Sequence, residues 1–133
     1  MSEYLFVYGS LRRQMIPKNL QVVMTTYCQF AGEAWVAGQL YEIAGYPGAI
    51  PSTNNDLRVQ GELYQIILPS LNLFTILDRY EECSAEFLMP HEYSRCQTTV
   101  HCASGEVLTA WIYWYNRQTT SLKMIHSGDY CSL

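Results

Sequence analysis

Charge is scarce in this chain. Only 15% of its 133 residues are Asp, Glu, Lys or Arg, and 8 basic residues stand against 12 acidic ones, a formal net charge of −4 at pH 7. So few basic groups leave no electrostatic footprint for nucleic acid or for an anionic membrane surface. No apolar run approaches the roughly 18 residues that a membrane span needs. Met1-Ser2-Glu3 lacks the basic start of a secretory signal, and the apolar run behind it stops at Tyr8-Gly9-Ser10. The expectation is a cytoplasmic protein with neither a nucleic-acid nor a membrane partner. The cysteines, Cys28, Cys83, Cys96, Cys102 and Cys131, are odd in number and form no CxxC pair. That argues against a disulfide framework and a zinc ribbon, and for reduced, small apolar thiols. His91, His101, Cys96 and Cys102 make an awkward ligand set, because His101 alternates away from Cys96 and Cys102 along a strand, so no metal is expected. The G-x-S-x-G, Walker and H-E-x-x-H patterns are missing too.

What the chain does have is apolar and aromatic. Hydrophobic residues make up 49%, and 11 residues are tyrosine. A chain of this length can bury about two-thirds of its unfolded surface, and residues 1–133 are expected to form one domain without disulfide or metal support. Many tyrosines in a weakly charged chain suggest a core or pocket with hydroxyls at its edges.

Tyr4 to Tyr8 reads as a strand buried on both faces, since polar alternation is missing. Pro17 is placed to open a helix in which Leu20, Val23, Met24 and Tyr27 keep helical spacing, with Gly32 as its stop. Ala34 to Ile43 suits a strand with a bulge at Gly38. The Gly- and Pro-rich stretch from Gly45 to Asp56 reads as a loop. Arg58 to Leu68 is a further strand. Ser70 is the expected N-cap of a second helix carrying Leu73, Leu77 and Tyr80. His91–Cys102 and Val107–Tyr115 then form a hairpin across the Gly-containing turn 103–106. The order β-α-β-β-α-β-β predicts an α+β fold: a small mixed sheet, curled into a barrel, with two helices outside.

Three segments carry candidate chemistry. Gly9-Ser10-Leu11 follows a buried strand and would present successive N–H groups to a carboxylate or oxyanion, Gly9 permitting close approach or positive φ. An ordinary strand-ending turn fits the same pattern. Glu81 and Glu82 leave the second helix about 100° apart around its axis. Glu81 lies four residues past Leu77 and nearer the inward stripe, so it should be the more buried of the two. A solvated acidic helix end is the alternative. Tyr93 and Arg95 share a strand face and offer a hydroxyl and a planar cation to a carboxylate. A surface pair is equally consistent. Tyr113 shares its face with Trp111 and Tyr115, an aromatic stripe that suits either core or pocket.

Taken in order, Tyr8-Gly9-Ser10-Leu11, Tyr46-Pro47-Gly48, Gly61-Glu62-Leu63-Tyr64, Leu77-Asp78-Arg79-Tyr80-Glu81, Tyr93-Ser94-Arg95 and Ser127-Gly128-Asp129-Tyr130 resemble the gamma-glutamylcyclotransferase-like proteins. That group includes gamma-glutamylamine cyclotransferases and AIG2-like proteins. The resemblance runs from about Tyr4 to Tyr130. It implies a small mixed β-barrel with flanking helices and a cofactor-free release of 5-oxoproline from a small gamma-glutamyl substrate. Tyr8, Gly9, Ser10 and Leu11 would bind the glutamyl group, Glu81 would be the acid–base, and Tyr93 would lie near the site. Arg95 and Tyr113 join them as candidate substrate contacts. One departure stands out: the family usually has Gly after the catalytic Glu, and this chain has Glu82. A non-catalytic domain that keeps the pocket for a small carboxylate is the alternative. Nothing in the sequence indicates an oligomeric state.

Overall fold

The computed structural model describes residues 2–131. In chain order its elements are β1 (Glu3–Val7), α1 (Lys18–Tyr27), β2 (Cys28–Glu42), β3 (Pro47–Pro51), β4 (Arg58–Ile66), α2 (Ser70–Tyr80), β5 (Tyr93–Cys102), β6 (Val107–Tyr115) and β7 (Lys123–Met124). Strands β2, β4, β1, β6 and β5 lie side by side in that order. The ring closes where β5 meets β2, with Ala34 opposite Cys102 and Trp35 opposite His101. All these neighbours are antiparallel except β1 and β6, which run parallel with Leu5 beside Trp111. The result is a closed five-stranded mixed barrel with two helices.

Side-chain alternation assigns each face. Phe6 of β1 and Tyr8 just past its end point into the barrel with Val36, Leu40, Val59, Leu63, Ile112 and Trp114. Leu5 and Val7 turn outward and pack with Leu20 and Met24 of α1 and Leu73, Phe74 and Leu77 of α2. Leu5 and Phe6 are 0% and 1% exposed. Burying side chains of this size contributes about 1.5–3 kcal/mol each, which explains why β1 shows no polar alternation.

Local expectations differ from the structure at four places. Gly32 does not stop a helix. Strand β2 begins at Cys28, directly after α1, and Gly32, at φ +112°, sits where the β2–β4 register shifts between Phe30 and Gly32. Gly38 is not a bulge, because it pairs with Pro51 and the register runs evenly from there to Glu42 opposite Pro47. Its small size is needed instead, since a Cβ there would lie 2.7 Å from the Ile50 carbonyl oxygen. The stretch expected as a loop contains β3, hydrogen-bonded along β2. An edge strand tolerates the prolines at both of its ends. Ser70 is the first helical residue and Pro69 occupies the cap position. No side-chain hydrogen bond caps this helix start.

Helix α2 ends in two reversed hydrogen bonds, Cys83 N–H to the Asp78 carbonyl at 2.9 Å and Glu82 N–H to the Arg79 carbonyl at 3.1 Å. This is a Schellman closure, whose C′ residue must be left-handed. That residue is Glu82, at φ +57°. Glycine is at ease there, whereas a side chain costs about 1 kcal/mol. Glu82→Gly should therefore stabilise the chain by about 1 kcal/mol, read as a higher urea midpoint at unchanged slope. A lower midpoint would show that the Glu82 side chain compensates for its backbone.

Candidate active site

The chain leaves the barrel at the end of β1. The Arg12 N–H returns to the Gly9 carbonyl at 2.9 Å and closes a tight turn. Among the described residues, the N–H groups of Ser10 and Leu11 donate to no backbone acceptor. Gly9 is not left-handed. It is needed for proximity, because a Cβ there would lie 2.6 Å from Pro47 Cγ. The Ser10 hydroxyl lies 2.9 Å from the Tyr80 hydroxyl, so the turn is joined to the end of α2.

The last turn of α2 brings Glu81 to the same place. Its N–H closes on the Leu77 carbonyl at 2.8 Å. Glu81 is partly buried while Glu82 is exposed, the order expected from their positions around the helix. Burial, then the nearby charges of Glu92 and Asp78, push the Glu81 carboxyl up to about 8. Desolvation and like charge both disfavour the ionised form.

Together these groups line a cavity of about 300 Å³ between β1, β3, β5, β6 and the end of α2. Tyr8, Gly9, Ser10, Leu11, Glu81, Tyr93 and Tyr113 are all on its wall. The tyrosine hydroxyls, however, are already engaged. Tyr8 donates to the Tyr113 carbonyl at 2.6 Å and accepts the Ala49 N–H at 3.2 Å. Tyr93 donates to the Pro47 carbonyl at 2.6 Å, and Tyr113 to Asp78 Oδ1 at 2.6 Å. Burial raises all three phenols above their usual range.

Arg95 is placed elsewhere. It lines a neighbouring cleft with Asp78 and Cys83. Its Nε and Nη2 meet the two Asp78 oxygens at 2.9 and 3.2 Å, and its guanidinium lies over Phe74 and Trp111. A fork occupied in this way has no free edge for a ligand in the main cavity. The wall also contains Tyr46, Pro47, Tyr80, Glu82 and Glu92, none of them among the expected site residues. Tyr46 donates to Glu92. The Tyr46-Pro47-Gly48 and Leu77-Asp78-Arg79-Tyr80-Glu81 motifs were the available signals for part of this group. Glu92 had none beyond its place before Tyr93. No three His, Cys, Asp or Glu side chains gather as a metal cage among the described residues.

A sequence profile described as gamma-glutamyl cyclotransferase, AIG2-like, matches residues 5–132. The chain belongs to that family. The gamma-glutamylcyclotransferase family protein YtfP of Escherichia coli K12 is 32% identical over 127 residues, covering 95% of this chain and 94% of YtfP. The solution structure of E. coli ytfP superposes with a TM-score of 0.64 over 97% of this chain and 96% of that one. A mouse AIG2-like protein shares the fold at a TM-score of 0.72 and 19% identity, over 94% of this chain and 86% of that one. The whole cavity wall falls inside the span that the family profile matches.

The position of Glu81 has a consequence for stability. Its carboxyl is raised from 4.5 to about 8. Between those values the folded chain binds more protons than the unfolded chain, so this contribution is complete below the lower value and fades as pH rises to the upper one. Glu81→Gln does not titrate. Its stability relative to the wild-type chain should therefore climb between about pH 5 and about pH 8, as measured by denaturant melts across that range. A difference that stays flat would contradict the raised carboxyl.

Proposed function

We propose that this member of the family is a gamma-glutamyl cyclotransferase that releases 5-oxoproline from a gamma-glutamyl amine or amino acid. The observation that carries the reading is the meeting of a high-pKa carboxyl, Glu81, with the free N–H groups of Ser10 and Leu11 in one cavity. At about 300 Å³ that cavity has room for a small ligand.

The reaction needs no protein nucleophile. The substrate's own α-amine attacks its γ-carbonyl, a five-membered lactam closes, and the C–N bond to the leaving amine breaks. The protein must fold the substrate so that amine and carbonyl meet, and well-oriented intramolecular attack can reach effective molarities of about 10⁵–10⁸ M. It must stabilise the oxygen that gains charge, which is the role of the Ser10 and Leu11 N–H groups. It must also take a proton from the α-ammonium and return one to the departing amine. One carboxyl can do both. A free Glu, near 4.3, is a poor match for an α-ammonium near 8. Raised to about 8, Glu81 is well matched to accept that proton and then to give one up. Tyr8, Tyr93 and Tyr113 supply the rigid wall, and the chemistry calls on no metal or cofactor.

The test is incubation with a panel of gamma-glutamyl amines and amino acids, scored for 5-oxoproline. Turnover should rise with pH through about 8, following Glu81. Glu81→Gln should lower the rate roughly 10²–10⁴-fold while ligand binding is largely kept. Gly9→Val should abolish binding, because its side chain collides with Pro47. Binding of 5-oxoproline without turnover of any panel member would favour the non-catalytic carboxylate-binding domain. A Glu81→Gln variant as active as wild type would remove Glu81 from the acid–base role.

A further inference from the structure

Directly behind the Gly9–Leu11 turn lies a part-buried ion pair that the reaction does not use. Arg12 is 4% exposed, and its Nη1 meets Asp129 Oδ1 at 2.7 Å. Asp129 is the carboxylate within salt-bridge reach of Arg12 among the described residues, and the Arg12 Nε is buried without a partner. A buried cation held by a single carboxylate depends on it, because removing the partner leaves an uncompensated charge.

The backbone of Arg12 closes the turn on both sides. Its N–H donates to the Gly9 carbonyl, and its own carbonyl accepts the N–H groups of Met15 and Ile16, each at 2.9 Å. Asp129 is equally fixed. Its Oδ1 accepts the Cys131 N–H at 3.0 Å, and its N–H donates to Ser127 Oγ at 3.2 Å. Gly128, at φ +69°, presses on β4. Its carbonyl accepts the Gln60 N–H at 2.7 Å, and a Cβ there would lie 1.9 Å from the Arg58 carbonyl oxygen. A continuous set of short contacts thus runs from β4 through Gly128, Asp129 and Arg12 to Gly9.

We infer that the C-terminal turn 127–131 positions the Gly9–Leu11 segment, with Asp129 and Arg12 as positioning residues acting through their ion pair. The pair makes no contact with the cavity wall through Asp129, which lies outside it. Its part is to hold the Ser10 and Leu11 N–H groups at a fixed place. Displacements of about 1 Å in such groups can cost about 10²-fold in rate. The kinetic side of this inference rests on the proposed cyclotransferase reading, and the structural side does not.

The experiment compares full-length wild type with Asp129→Asn, by amide NMR with hydrogen exchange and by 5-oxoproline release. In Asp129→Asn the Ser10 and Leu11 amide resonances should shift, and the hydrogen-bonded Arg12, Met15 and Ile16 amides of the turn should exchange at least about 10-fold faster, while β5 amides stay in place. Release should slow about 10–100-fold, with the pH break unmoved because the pair does not touch Glu81. Wild-type Ser10 and Leu11 amides in a folded Asp129→Asn would overturn the inference. So would changes spread evenly through β5 and α2, which would mark a general loss of packing, or a moved pH break. If Asp129→Asn does not fold, Asp129→Glu keeps the charge and moves it by one methylene. Displaced Ser10 and Leu11 amides then support the inference, and unmoved ones overturn it. If the wild-type chain releases no 5-oxoproline, the proposed function fails, and the amide comparison still decides the positioning role.

Discussion

The strand β1 is enclosed on every side, and the location of the site follows from that. Its edges are paired to β4 and β6, and its two faces are sealed by the barrel interior and by the helices. Backbone groups inside such a strand have no freedom, since each is committed to a ladder. Where the strand ends, the chain must turn out of the barrel, and the N–H groups of Ser10 and Leu11 lose their partners together. The same end of the barrel receives the last turn of α2, because Leu73 and Leu77 pack against the outward face of β1. Glu81 is therefore brought to the wall of the same cavity by the core itself.

Two carboxylates in one short segment are treated in opposite ways. Asp78 has a counterion, with both oxygens taken by Arg95 and one shared with the Tyr113 hydroxyl. Glu81 has no cation in salt-bridge reach among the described residues. It meets burial first, then the charges of Glu92 and Asp78. It also sits at the end of a helix, where the dipole disfavours negative charge. Every one of these effects has the same sign. The two acids are thus set apart by their surroundings, one paired with a cation and the other not. Arg95, which the sequence offers as a ligand contact, turns out to be the cation that keeps Asp78 in place. Composition and spacing cannot foresee this, because Asp78 and Arg95 are brought together only by the packing of α2 on β5.

The long-range order was legible because it rests on periodicity. The apolar run of β1, the helical stripes around Leu20–Tyr27 and Leu73–Leu77, and the hairpin at 103–106 all carry patterns tied to their own geometry. The errors fall where a residue has more than one physical use. Gly32 and Gly38 were assigned punctuation roles by local rules. One instead accommodates a register shift, and the other a close backbone approach. Proline-bounded β3 resembles a loop until it is known to lie at an edge. Glu81 was legible because its place follows from Leu77 by helix geometry. Glu92 and Tyr80 were not, since their side chains reach the cavity only through tertiary contacts. Glu82 was visible as an anomaly in the sequence, and the structure gives its physical meaning: a left-handed helix end occupied by a residue with a side chain.

The tyrosines suggest how stiff the cavity is. Tyr8, Tyr93 and Tyr113 line it, yet none has an idle hydroxyl. Tyr8 and Tyr93 hold the two ends of the segment 47–49 against the barrel, one at the Ala49 N–H and the other at the Pro47 carbonyl. Pro47 in turn stands against Gly9, where no side chain fits. The wall of the cavity is therefore set by buried hydrogen bonds that are costly to break. Such a wall binds by shape and offers few adjustable donors. A reaction in which the substrate supplies its own nucleophile asks for that property, because its barrier falls chiefly by holding one flexible molecule in one conformation. A wall that yielded to the substrate would give back the entropy that ring closure has to overcome.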